Sequence, residues 1–132
     1  MTNKRRVLEK FKDFKNAYQR LTESLEVEVT NDVIIDGVIQ RFEFTFELSW
    51  KLMKAYLEYE GLKNLNSPRS TIRAAFKNKL IEDGDKWVGM LLDRNKTSHI
   101  YDEDKAREIY DKIKTEHIDR FKNLLDVMEN VF

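Results

Sequence analysis

The chain has 132 residues, 41% of them hydrophobic, which suffices for one ordinary core and leads us to expect a single domain over 1–132. Its 24 Lys and Arg balance 24 Asp and Glu, so no global field draws it to nucleic acid or membrane, and any RNA contact must be local. The lack of cysteine excludes disulfides and thiolate metal sites. Without a signal-like N-terminal run or an apolar stretch near membrane-spanning length, a cytoplasmic protein with no membrane association is expected.

One proline and four glycines leave few places to turn, a scarcity that fits long helices. In the first segment Val7, Leu8, Phe11, Phe14, Tyr18, Leu21 and Leu25 recur at three- and four-residue steps, which predicts an amphipathic helix over 3–26. Residues 26–30 alternate too briefly for a strand and read as a connector. A second helix is predicted from Thr30 or Asn31, either of which can cap it, to Tyr59, with Gly61 as its stop. Ile35, Val38, Ile39, Phe42, Phe46, Trp50, Met53 and Leu57 form one broad apolar face. Phe44, Leu48, Leu52, Ala55 and Tyr59 form a second on the opposite side, so this helix is either central to its own bundle or shared with another chain.

Between those faces runs a polar strip of Asp36, Gln40, Glu43, Glu47, Lys51 and Lys54. It is either a solvated surface, as charge runs usually are, or a source of carboxylates, Glu43 and Glu47, that orient a cation elsewhere. Ser67 and Pro68 mark a helix start and predict a short third helix to Lys79. Asp83 and Gly84 separate it from a fourth, which carries Trp87, Met90 and Leu91 and ends near 95–98. Asp102 can cap the last helix, whose stripe is Ala106, Ile109, Tyr110, Ile113, His117, Phe121, Leu124 and Met128. The expected fold is an all-α, up-and-down antiparallel bundle of about five helices, three long and two short.

The chemistry concentrates between the fourth and last helices. Arg94, Asn95, Lys96, Thr97, Ser98 and His99, followed by Ile100 and Tyr101, combine a permanent cation, a titratable imidazole and a phenol in a chain with two histidines. An Arg clamps phosphate with charge-assisted bonds, and a neutral His can take the proton of an attacking hydroxyl. Together they are the minimum equipment for cleaving RNA without a metal. On an unbroken helix the two would diverge by about 140°, so a bend is expected there. A plainer reading has His99 capping carbonyls and Arg94 paired with Asp93, Asp102 or a carboxylate of the second helix.

His117, inside an apolar stripe, reads as a hydrogen-bonded core or interface histidine. Neither the histidines nor the carboxylates match a metal-ligand pattern, and there is no Gly-rich phosphate loop, so neither a metal nor a cofactor is expected. Lys4, Arg5 and Arg6 form one basic cluster. Arg69, Arg73, Lys77 and Lys79 form another, largely on one side of the third helix, which is either a solvated face or a hold on a phosphate backbone.

Four blocks in order, RFEFTFELSWK at 41–51, YLEYEG at 56–61, SPR at 67–69 and LDRNKTSHIY at 92–101, make the chain resemble one family. It is similar to the nucleotidyltransferase substrate-binding proteins, a branch of the HEPN superfamily of small helical bundles. The resemblance implies a partner, a small MNT-type nucleotidyltransferase. In the toxin-like branch it further implies a homodimeric endoribonuclease in which an Arg-x4-His motif meets its symmetry mate, with RNA as substrate. Arg94 and His99 match that motif, Asn95 matches the polar residue that often follows its Arg, and Tyr101 matches the tyrosine that receives AMP and silences the RNase. Other members of such a family can be non-catalytic subunits that bind a nucleotide or substrate for the transferase.

Overall fold

The computed structural model describes residues 3–99 and 102–132 and consists there of helices joined by short turns. The first, α1 (Lys4–Leu25), is capped by the Asn3 side chain, which accepts from the Arg6 N–H at 2.9 Å. Asn31 rather than Thr30 caps α2 (Asp32–Tyr59), accepting from Val33 N at 2.9 Å. At the start of α3 (Pro68–Lys77), Ser67 and Ser70 form a reciprocal capping box, with Pro68 in the first turn. The helix ends two residues before the expected Lys79, because Lys79 takes a left-handed conformation at φ 63° and the chain turns there.

The fourth helix, α4 (Gly84–Lys96), tightens into a single 3₁₀ turn at Thr97–His99. Asp102 then caps α5 (Glu103–Lys112) by accepting from Lys105 N at 2.8 Å. A π-helical turn, Ile113–His117, links it to α6 (Ile118–Glu129), so the expected last helix is one rod with a widened turn in its middle. The sequence gives the reason. Ile113, His117 and Phe121 are spaced by four, and each such step drifts about 40° on an α-helix. A wider turn takes up that drift and keeps the stripe facing inward.

Helix α2 is the central element: it packs on α1, α3, α4 and α5, while α6 closes against α1. Its first apolar face is buried at Ile35, Val38, Ile39, Phe42, Phe46, Met53 and Leu57, with Trp50 partly buried against the core. Phe121 of α6 sits where three other helices meet, with ring centroids 6.0 Å from Phe14, 6.0 Å from Phe42 and 5.9 Å from Trp87. Deleting an aromatic ring at such a point costs about 3–5 kcal/mol.

The second apolar face of α2 divides. Leu52 and Ala55 are buried by the bundle, Leu48 is partly covered, and Phe44 and Tyr59 stay exposed. The two buried hydroxyls of α2 are satisfied within the helix, Thr45 donating to Arg41 O at 2.7 Å and Ser49 to Phe46 O at 2.6 Å. Among the described residues no helix is long and apolar enough to cross a membrane.

Candidate functional site

The end of α4 carries two consecutive residues that face opposite surroundings. Asp93 points inward and is buried; Arg94 points toward α2 and is half-buried. This follows from the 100° step between neighbours on a helix packed on one side.

Asp93 is the anchor. One of its oxygens meets His117 Nε2 at 2.7 Å and the other lies 3.5 Å from Lys112 Nζ. The imidazole of His117 is stacked on Phe42, with centroids 5.4 Å apart and planes 19° from parallel. His117 is therefore the hydrogen-bonded core histidine that its place in an apolar stripe predicts. Burial lowers its pKa, the hydrogen bond and charge of Asp93 pull upward, and burial prevails. The neutral ring then donates its Nε2–H to the carboxylate, and Lys112 supplies the compensating charge. Asp93 was weighed in the sequence only as a partner for Arg94. The missed signal was complementarity: an acid on the end of an apolar helix and a histidine in an apolar stripe each lacked a partner.

On the other side Arg94 Nη1 lies 3.7 Å from Glu43 Oε2, an ion pair longer than a hydrogen bond with both side chains about one-third exposed. The Thr97 hydroxyl reaches the same Glu43 oxygen at 3.0 Å and the Arg94 carbonyl at 2.7 Å. Glu43 thus touches the motif twice, at its cation and at the turn that follows. Thr97 has no role in the sequence reading beyond allowing a bend, yet it ties that turn to α2. Glu47, the other candidate orienting carboxylate, is engaged elsewhere: it accepts from Trp50 Nε1 at 3.0 Å and pairs with Lys51 at 3.4 Å.

His99 and Asn95 are exposed, His99 as the last residue of the 3₁₀ turn. No sharp bend precedes it. Three α-helical steps and two 3₁₀ steps place His99 roughly 180° around the axis from Arg94, and no hydrogen bond joins the two side chains among the described residues. A 3₁₀ turn thus stands where the bend between Arg94 and His99 was expected. Tyr101 lies outside the described residues. Among those residues no group of three or more His, Asp or Glu is placed to hold a metal ion.

The family described as nucleotidyltransferase substrate binding protein like matches residues 9–130. A Haemophilus influenzae protein named probable ribonuclease HepT is 37% identical over 93 residues, which is 67% of this chain and 64% of that protein's length. A solved Thermus thermophilus structure aligns at TM-score 0.78 and 36% identity, over 86% of this chain and 96% of that one. A tri-AMPylated Shewanella oneidensis HEPN toxin, solved in complex with MNT antitoxin, shares the fold at TM-score 0.76 and 20% identity, over 93% of this chain and 96% of that one. With the family match spanning nearly all of the sequence and the expected helical bundle in place, the chain belongs to the nucleotidyltransferase substrate-binding protein family.

Proposed function

We propose that this chain is the HEPN-type subunit of a two-component HEPN/MNT toxin and antitoxin system and acts as a metal-independent endoribonuclease. The observation that carries the reading is the end of α4, where Arg94, Asn95 and His99 stand on an accessible turn that Asp93 anchors from within and Glu43 ties to α2. Rigid support behind exposed polar groups is what a catalytic turn requires.

In this mechanism neutral His99 takes the proton of a ribose 2'-hydroxyl. The 2'-oxygen attacks the adjacent phosphorus, and Arg94 stabilises the charge that develops on the phosphorane. The 5'-oxygen leaves with a proton from an imidazolium or from water. The products are a 2',3'-cyclic phosphate and a 5'-hydroxyl, and neither metal nor cofactor enters. A homodimer that brings two motifs together supplies the cation of one copy to the base of the other. Asn95 orients the phosphate. Transfer of AMP to the Tyr101 hydroxyl by an MNT-type nucleotidyltransferase places a bulky anion two residues from His99 and silences cleavage.

The test uses labelled tRNA in EDTA with the purified protein and its His99→Ala variant, followed by analysis of the 3' ends. Cyclic phosphate from the unmodified protein alone supports the reading, and equal cleavage by the variant rejects it. A second reading, a non-catalytic subunit that binds nucleotide or substrate for the transferase, is favoured by the Glu43 carboxylate already facing Arg94. Intact RNA in both samples, with Tyr101 free of AMP by mass spectrometry, selects it.

A further inference from the structure

Helix α3 is the one α-helix among the described residues that carries no Asp or Glu. Arg69, Arg73 and Lys77 follow one another at four-residue steps along a single exposed face, and Phe76 lies in the same sector. None of these three cations is held by an ion pair or side-chain hydrogen bond among the described residues. The Phe76 ring is 53% exposed, and its other side lies so close to Gly84 that a Cβ there would stand 2.9 Å from the ring. An aromatic ring backed by a glycine, with one face in solvent and cations on either side, is a stacking platform.

The ring borders a groove of about 560 Å³ between α3 and the start of α4. Arg69 and Arg73 line it from α3; Glu82, Asp85 and Lys86 line it from the start of α4 and the turn before it, while Asp83 is taken up by Arg120. Such a groove is less suited to a simple anion, because two carboxylates, Glu82 and Asp85, share it with the cations. It suits a ligand with phosphates along one edge and hydrogen-bond donors along the other. Single-stranded RNA has this chemistry: its backbone pairs with Arg and Lys, its base faces stack, and the exocyclic amines of cytosine and adenine donate to carboxylates.

We propose that the α3–α4 groove is a docking site for single-stranded RNA that favours amino-bearing bases over uracil, a role that rests on the ribonuclease reading for its purpose. The groove lies at the start of α4 and the Arg94 to His99 turn at its end, roughly 18 Å away at 1.5 Å per residue. An extended strand of a few nucleotides spans that distance. Arg69, Arg73 and Phe76 thereby hold the RNA at a fixed separation from the point of cleavage.

The experiment measures binding apart from cleavage. The protein carrying His99→Ala is titrated with fluorescein-labelled oligo(C), oligo(A) and oligo(U) at several salt concentrations, and the same is done after adding Arg69→Gln, Arg73→Gln and Lys77→Gln. The groove predicts tighter binding of oligo(C) and oligo(A) than of oligo(U). Loss of the three cations should weaken binding at least tenfold and lower the slope of log affinity against log salt by about two. Phe76→Ala should weaken it by about tenfold with the slope unchanged. Unchanged affinity and slope in a triple variant that keeps its helical circular dichroism overturns the proposal. So does normal RNA binding with loss of nucleotidyltransferase association, which would make the face a protein interface. Groove-dependent binding without any cyclic phosphate from the wild type sinks the ribonuclease reading and leaves the docking site standing.

Discussion

The two histidines of this protein stand near the two ends of one short structural path and have opposite surroundings. His117 is buried, stacked on Phe42 and bonded to Asp93; His99 is exposed on a 3₁₀ turn six residues after Asp93. Asp93 and Arg94 connect them, one facing each way. The difference shows how a small bundle keeps a reactive turn accessible without letting it drift: polar contacts in the interior hold the helix end, and the exposed groups are left available for a ligand.

The comparison breaks most sharply in activity. His99→Ala should reduce RNA cleavage by roughly a hundredfold or more while shifting stability by no more than about 0.5 kcal/mol, since its side chain is exposed. Cyclic phosphate release and urea unfolding measure the two effects on one sample. His117→Ala should do the reverse in stability, costing about 3 kcal/mol, because it removes the ring from Phe42 and leaves Asp93 with Lys112 alone. A midpoint in urea matching that of the unmodified protein would show that the Asp93 contact contributes nothing.

A pH series sharpens the contrast. The folded His117 pKa lies below its ordinary value of 6.5, so as pH falls through 6.5 the unfolded chain takes up a proton that the folded one refuses. The stability contribution is complete above that pH and is lost as pH falls below it, toward the folded pKa. Thermal melts between pH 7.5 and about 5 should therefore decline more steeply for the unmodified protein than for His117→Gln, and parallel curves would refute this assignment.

The smallest effect belongs to Glu43. Its pair with Arg94 is partly solvated, so Glu43→Gln should change stability by about 0.5 kcal/mol or less. The amide still accepts from Thr97 but no longer opposes the Arg94 charge. Phosphate should then be held more tightly while cleavage slows severalfold if Glu43 aims the cation. An unchanged KM and kcat would reduce the pair to a surface contact.

The helices were legible because their signals are local. Asn31, Ser67 and Asp102 cap where short polar side chains precede periodic apolar runs, and the stripe from Ala106 to Met128 is buried throughout. The Glu43 contact was legible only as a choice, since α2 offers two carboxylates one turn apart and periodicity does not say which faces α4. Geometry decides: Glu43 meets Arg94 and Thr97, and Glu47 turns to Trp50 and Lys51. The exposure of Phe44 was equally undetermined, because a helix apolar on two sides does not reveal which side its own chain will cover.

The sequence by itself determined the bundle, its caps, its buried stripes and the residues able to do phosphate chemistry, since these depend on side-chain type and spacing along one helix. Only the tertiary structure decided that Asp93 belongs to His117, that Thr97 ties the motif to Glu43, and that Glu47 turns away to Trp50 and Lys51. Each of these depends on the rotation of one helix against another. Tens of degrees of helical phase, set by a π turn in one element and a 3₁₀ turn in its neighbour, select partners that no single segment encodes.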